Sequence, residues 1–119
     1  MRVKIFDSEL KVMEILWENG EMTAAQIVKI LKEQTGWNPN TTYTVIKKLI
    51  EKGAVERFEP GFGCRALVAK DEVRQYEAEE LIGKLFGGSA EVFLSAFLSG
   101  RELREEEIER LKRLVESLK

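Results

Sequence analysis

Apolar residues recur at helical spacing in six stretches of this chain, with one short region of loose alternation between the third and the fourth. The first stretch, Asp7 to Glu18, sets Leu10, Met13, Leu16 and Trp17 on a stripe that Val12 widens. Asp7 or Ser8 stands where a helix cap is needed, and Asn19-Gly20 is a stop signal. Thr23-Ala24-Ala25-Gln26 has capping-box spacing, in which hydroxyl and amide side chains satisfy free backbone groups reciprocally. It starts a second helix with Ala24, Ile27, Val28 and Leu31 on one face, ending near Thr35-Gly36. Asn38 as cap, Pro39 at the first helical position and Gly53 as stop delimit a third helix. Val45, Ile46, Leu49 and Ile50 gather on one side of it together with Thr42.

Past Gly53 the period changes. Segments 54–59 and 65–69, on either side of Pro60-Gly61-Phe62-Gly63, read as a β-hairpin, which after three helices makes a winged helix-turn-helix. Lys70-Asp71 marks a boundary, beyond which 72–86, 90–98 and 104–118 read as helices. The expected fold is therefore mainly α with a small β-hairpin wing: a winged helix-turn-helix domain over 1–70 and a three-helix region over 71–119. Three short amphipathic helices carry more apolar face than they can bury among themselves. A second copy of the chain is the natural cover, with Phe86, Val92, Phe93, Phe97, Ile108, Leu111, Leu114, Val115 and Leu118 as the expected dimer contacts.

The other side of the third helix holds Asn40, Thr44, Lys47, Lys48 and Glu51, flanked by Thr41 and Tyr43. Short hydroxyl and amide groups suit base edges in a DNA major groove, and Lys suits phosphate. Taken alone, such a surface favours the reading of an ordinary solvated face, and only the neighbouring elements reverse it. Arg57 and Arg65 on the hairpin either reach phosphates or merely solvate an exposed ribbon, and both readings stay open. Cys64, near the hairpin tip, reads as incidental rather than as a redox switch, which needs an acidified thiolate.

Composition narrows the chemistry. At 119 residues, 44% hydrophobic and 34% charged, the chain has the size of one ordinary domain or two very small ones. A single cysteine and no histidine leave neither a disulfide framework, nor a zinc cluster, nor histidine-based acid and base catalysis. No apolar run is long enough for a bilayer, and Met1-Arg2-Val3-Lys4-Ile5-Phe6 lacks the apolar region of a signal peptide, so a cytoplasmic protein is expected. The net charge of −2 hides an asymmetry: 11 basic against 9 acidic residues up to Lys70, or +2, and 8 against 12 beyond it, or −4. The basic excess thus sits with the third helix.

The residues Glu9-Leu10-Lys11-Val12-Met13-Glu14-Ile15-Leu16-Trp17, Thr23-Ala24, Trp37, Thr41 to Thr44, Leu49, Lys52-Gly53, Leu85-Phe86-Gly87-Gly88-Ser89 and Ala96-Phe97-Leu98 together resemble the penicillinase-repressor family, that of the BlaI, MecI and CopY repressors. The resemblance runs over nearly the whole chain. It implies a winged-helix repressor that dimerises through its C-terminal helices on a double-stranded operator of dyad symmetry. Carried over by position, Thr41, Thr44 and Lys48 would contact DNA. Three departures stand out. Phe6 occupies the usual Ser or Thr position before the first helix, which moves the cap to Asp7 or Ser8. Phe62 follows Gly61 where the family's wing has Arg, leaving Arg65 as a substitute, and Ala66 and Val68 replace a Tyr and a Pro. Antibiotic-responsive members are cut in the tail at an Asn-Phe bond, in a pathway with a membrane sensor protease; the matching step here is Ala96-Phe97. Copper-responsive members carry a C-terminal cysteine motif, which is missing after Val115, so no metal or other cofactor is expected.

Two rivals remain. One is a winged-helix protein-protein interaction module without DNA sequence specificity, using Tyr43, Lys47 and the tail, which the acidic overall balance favours. The other is an enzyme, for which no phosphate-binding Gly loop and no paired acids off helix surfaces are present; Glu105-Glu106-Glu107 reads as helix-start charge.

Overall fold

The computed structural model describes residues 3–118. Met1 and Arg2 of the N-terminal stretch read above, and Lys119, lie outside them. The elements are α1 (Asp7–Asn19), β1 (Met22–Thr23), α2 (Ala24–Thr35), α3 (Pro39–Glu51), β2 (Val55–Phe58), β3 (Gly63–Ala66), α4 (Lys70–Leu85), α5 (Ala90–Ser99) and α6 (Glu105–Ser117). The fold is mainly helical with a small antiparallel sheet, as the pattern predicts. Spatial proximity along the backbone groups the chain into two compact units, one up to Ala78 and one from Glu79. The first helical turns of α4 thus belong with the N-terminal core, where Val73 is buried. Among the described residues no single helix is long and apolar enough to cross a membrane.

Two of the three N-terminal helices begin as their caps dictate. Thr23 Oγ1 accepts from the Gln26 N–H at 3.1 Å, and the Gln26 side chain accepts from the Thr23 N–H at 2.9 Å. Asn38 Oδ1 accepts from the Thr41 N–H at 2.9 Å, with Pro39 at the first position, where no N–H is needed. The first helix departs from expectation. Neither Asp7 nor Ser8 caps it; Phe6 takes the N-cap position, and its N–H donates to the Glu9 carboxylate at 2.9 Å. The acceptor comes from the third helical residue reaching back, so the cap itself needs no polar side chain.

The hairpin gains a strand. Met22 and Thr23 pair with Cys64 and Gly63, giving the order β1-β3-β2. The second arm of the hairpin begins at Gly63, two residues earlier than the pattern predicts. Gly63 lies opposite Phe58, and a Cβ there would overlap the Phe58 ring. Cys64 is therefore a fully buried strand residue rather than part of an exposed tip. The core joins Val12, Met13 and Leu16 of α1, Ala24, Ile27 and Leu31 of α2, Ile46 and Leu49 of α3, and Val55 and Cys64 of the sheet. Trp17 ties α1 to the chain after β3 by donating its Nε1–H to the Val68 carbonyl at 2.9 Å.

The unit from Glu79 onward is built differently. Phe86 and Phe93 meet edge to face at 5.3 Å between centroids, and Phe93 stacks on Phe97 at 5.7 Å. Yet no residue of α5 or α6 is buried.

Candidate nucleic-acid interface

The apolar side of α3 is pinned to the core by Thr42, Val45, Ile46 and Leu49, so rotation of the helix is fixed and the opposite side must face out. Asn40, Thr41, Thr44, Lys47 and Lys48 are all exposed there, and Tyr43 is half-buried at the edge. Thr41 and Thr44 are locally occupied: the Thr44 hydroxyl donates to the Asn40 carbonyl at 2.9 Å, and that of Thr41 to Asn38 Oδ1 at 3.3 Å. Each hydroxyl still has free lone pairs for an incoming donor. Lys47 and Lys48 form no ion pair among the described residues. The face therefore offers two lysines outside any ion pair among the described residues, beside a row of short polar groups, with the exposed Glu51 one turn further on.

A residue pair that sequence reasoning missed holds this helix in place. Glu9 is buried on α1, and Lys52, at the C-cap of α3, reaches its Oε1 at 2.6 Å, with side chains only 4% and 25% exposed. The same ammonium donates to the Lys4 carbonyl at 2.8 Å and lies 4.8 Å from the Phe6 ring centroid. A signal was present: Glu9 is three, four and seven residues before Val12, Met13 and Leu16, on the buried stripe, where a carboxylate demands a cation. Thr42 shows the opposite condition, for its Oγ1 is buried without a hydrogen-bond partner among the described residues.

The wing presents two arginines in different settings. Arg65, the expected contact, lies on β3 with its guanidinium held by Glu21 at 2.7 Å and Glu56 at 3.2 Å, above the Phe58 ring at 4.7 Å. The hydrogen bond from Arg65 to Glu21 reinforces its positive charge. Arg57 pairs with one carboxylate, Glu59 at 2.9 Å, and lies 3.7 Å from the centroid of Phe62. The Phe62 N–H and the Arg57 guanidinium together hold the Glu59 carboxyl below its ordinary range. Phe62 has φ 53°, a left-handed backbone that costs a bulky residue about 1 kcal/mol or more. It is kept there by the Ala24 N–H, which donates to its carbonyl at 2.9 Å, and its ring lies 6.0 Å from that of Tyr43 on α3.

Burial pushes the Cys64 thiol up, which makes it a poor nucleophile and favours its reading as a packing residue. Among the described residues no cluster of His, Cys, Asp or Glu could hold a metal ion.

The expected dimer contacts are largely uncovered. Val92, Phe97, Ile108, Leu114, Val115 and Leu118 are exposed, Leu118 by 77%, while Phe86, Phe93 and Leu111 are half-buried. Leu98, Leu103, Ile108, Leu111 and Val115 line an apolar groove between the end of α5 and α6. Ala96 and Phe97 are both exposed within α5, with Arg101 4.9 Å from the Phe97 ring.

Known proteins resemble this chain in sequence and in fold. Residues 5–117 match the family model described as penicillinase repressor. The penicillinase repressor of Bacillus licheniformis is 25% identical over 98% of this chain and 92% of its own length. The solution structure of the DNA binding domain of the repressor BlaI superposes with a TM-score of 0.56 at 27% identity, covering 60% of this chain and 90% of that one. That of the monomeric form of Bacillus licheniformis BlaI in complex with the blaP half-operator gives 0.54 at 27% identity, with the same coverage.

Proposed function

This chain belongs to the penicillinase repressor family, and from that premise we propose that it is a cytoplasmic, homodimeric transcriptional repressor that binds an operator of dyad symmetry. The observation that carries the reading is the outward face of α3. Asn40, Thr41, Thr44, Lys47 and Lys48 are exposed there, and in this reading the first three meet base edges and the two lysines the flanking phosphates. The solved complex of the monomeric B. licheniformis relative with a half-operator supports operator DNA as the ligand. Short recognition helices gain specificity by pairing, since a twofold dimer sets two of them about 10 base pairs apart along one face of the duplex. The exposed apolar side chains of α5 and α6 support that pairing, because a monomer leaves them in water. Release from the operator by cutting at Ala96-Phe97, through a membrane sensor protease, is the accompanying proposal for induction; Phe97, 47% exposed, supplies the apolar side chain at that step.

Affinity in this scheme comes chiefly from phosphate neutralisation and discrimination from the base-facing hydroxyls. Lys48→Ala weakens binding to every sequence and flattens the salt dependence, its log–log slope falling by about one for each phosphate left without its lysine. Thr44→Ala mainly damages the preference for operator over random duplex. Fluorescence titration of labelled duplexes at several salt concentrations measures both, and a Lys48 variant that binds like the wild type would count against the assigned face.

A further inference from the structure

Residues paired across an antiparallel sheet share a face, and successive residues alternate between faces. Arg57 lies opposite buried Cys64 and two residues from buried Val55, so it belongs to the face that packs on the helices. Arg65 lies opposite Glu56 on the other face, beside Phe58, where two carboxylates hold it. The helix-facing row runs past the edge of the core at Arg57, whose side chain stays 48% exposed. From there its guanidinium reaches Phe62, the residue in strained left-handed backbone, and Phe62 in turn meets Tyr43 on the flank of α3.

Resting on the DNA-binding reading above, we propose that Arg57, rather than Arg65, is the wing's contact with the DNA backbone. Phe62 carries its planar guanidinium alongside α3. On binding, Arg57 exchanges the Glu59 carboxylate for phosphate oxygens, which accept the same fork of N–H donors. One exposed carboxylate is readily displaced by a polyanion. Arg65 would have to leave two and cross from the wrong face of the sheet.

The test is fluorescence anisotropy with a labelled random-sequence duplex of about 24 base pairs, titrated across a salt series with the full chain, each variant first checked for an unchanged thermal melt. Arg57→Gln is expected to weaken binding about 10-fold at low salt and to reduce the salt slope by about one per engaged protomer. Arg65→Gln stays within about twofold of the wild type, as for a residue off the interface. Phe62→Leu, which keeps the charge and removes its platform, gives an intermediate loss with the slope retained. Wild-type affinity in Arg57→Gln, with or without a loss in Arg65→Gln, overturns the assignment while leaving DNA binding standing. A wild-type chain that ignores duplex even in dilute buffer overturns the DNA-binding reading, and this assignment with it.

Discussion

The unit up to Ala78 and the unit from Glu79 obey the same helical pattern but reach different ends. In the first, each helix has a partner for its apolar side, and a buried carboxylate that strays onto a stripe is matched by Lys52. In the second, the stripes of α5 and α6 are as regular, yet Leu114, Val115 and Leu118 remain in water. The lesson is that amphipathic pattern sets which face is apolar without setting what covers it. A finished core needs layers on enough sides, and about forty residues made of the end of α4, α5 and α6 cannot supply them. On the proposed function, the first unit holds the reading surface and the second joins two of them.

The largest effect expected breaks the second unit alone. Replacing Leu114 and Val115 together by Glu removes about 1.5–3 kcal/mol of apolar burial per side chain from any dimer and adds like charges. Sedimentation should show association weakened by roughly a hundredfold or more, with the thermal unfolding of the N-terminal unit unchanged. An associated double variant would mean that the exposed faces are not the joint.

The next strikes the first unit. Glu9→Ala strands the Lys52 ammonium and removes the acceptor of the Phe6 N–H, so urea unfolding should show a loss on the order of 3 kcal/mol. Dimerisation should persist, because nothing in α5 or α6 depends on that pair. Thr42→Val acts in the opposite direction. It replaces a buried hydroxyl without a hydrogen-bond partner by a methyl group of the same shape, and should stabilise by about 1 kcal/mol. A destabilised Thr42→Val chain would show that the hydroxyl has a role in holding α3.

The smallest effect is a pH dependence confined to the wing. The folded pKa of Glu59 lies below its ordinary value of 4.5, so its contribution is present above that value and is lost as pH falls through the depressed one. Protection of the Phe62 amide, taken relative to its intrinsic exchange rate, should fall as pH drops through the depressed Glu59 value while amides of α1 stay protected. Glu59→Gln should show the fast exchange at neutral pH.

Much of this was legible in the chain. The caps Thr23 and Asn38, the glycine stops and the apolar side of α3 come from local chemistry, which acts within a few residues and is written there. The outward face of α3 follows from its buried face by subtraction. What escaped depends on partners distant in sequence. Strand β1 has two residues and exists through its pairing with Cys64 and Gly63. The cap of α1 moved to Phe6 because Glu9 reaches back, and Glu9 is held by a lysine 43 residues away. Arg57 and Arg65 look alike as residue types, and only strand register separates the one facing the helices from the one facing Glu21 and Glu56.

The claim beneath all of this is that the exposed face of α3 reads duplex DNA as one of a symmetric pair. Selection of binding sites from a randomised duplex library by the purified full chain tests it directly. The account predicts recovery of one short inverted repeat with half-sites about one helical turn apart, and a changed or blurred repeat with Thr44→Ala. Recovery of no common sequence by the wild type, or of the same repeat by a chain lacking the Thr44 hydroxyl and both Lys47 and Lys48 ammonium groups, would contradict it.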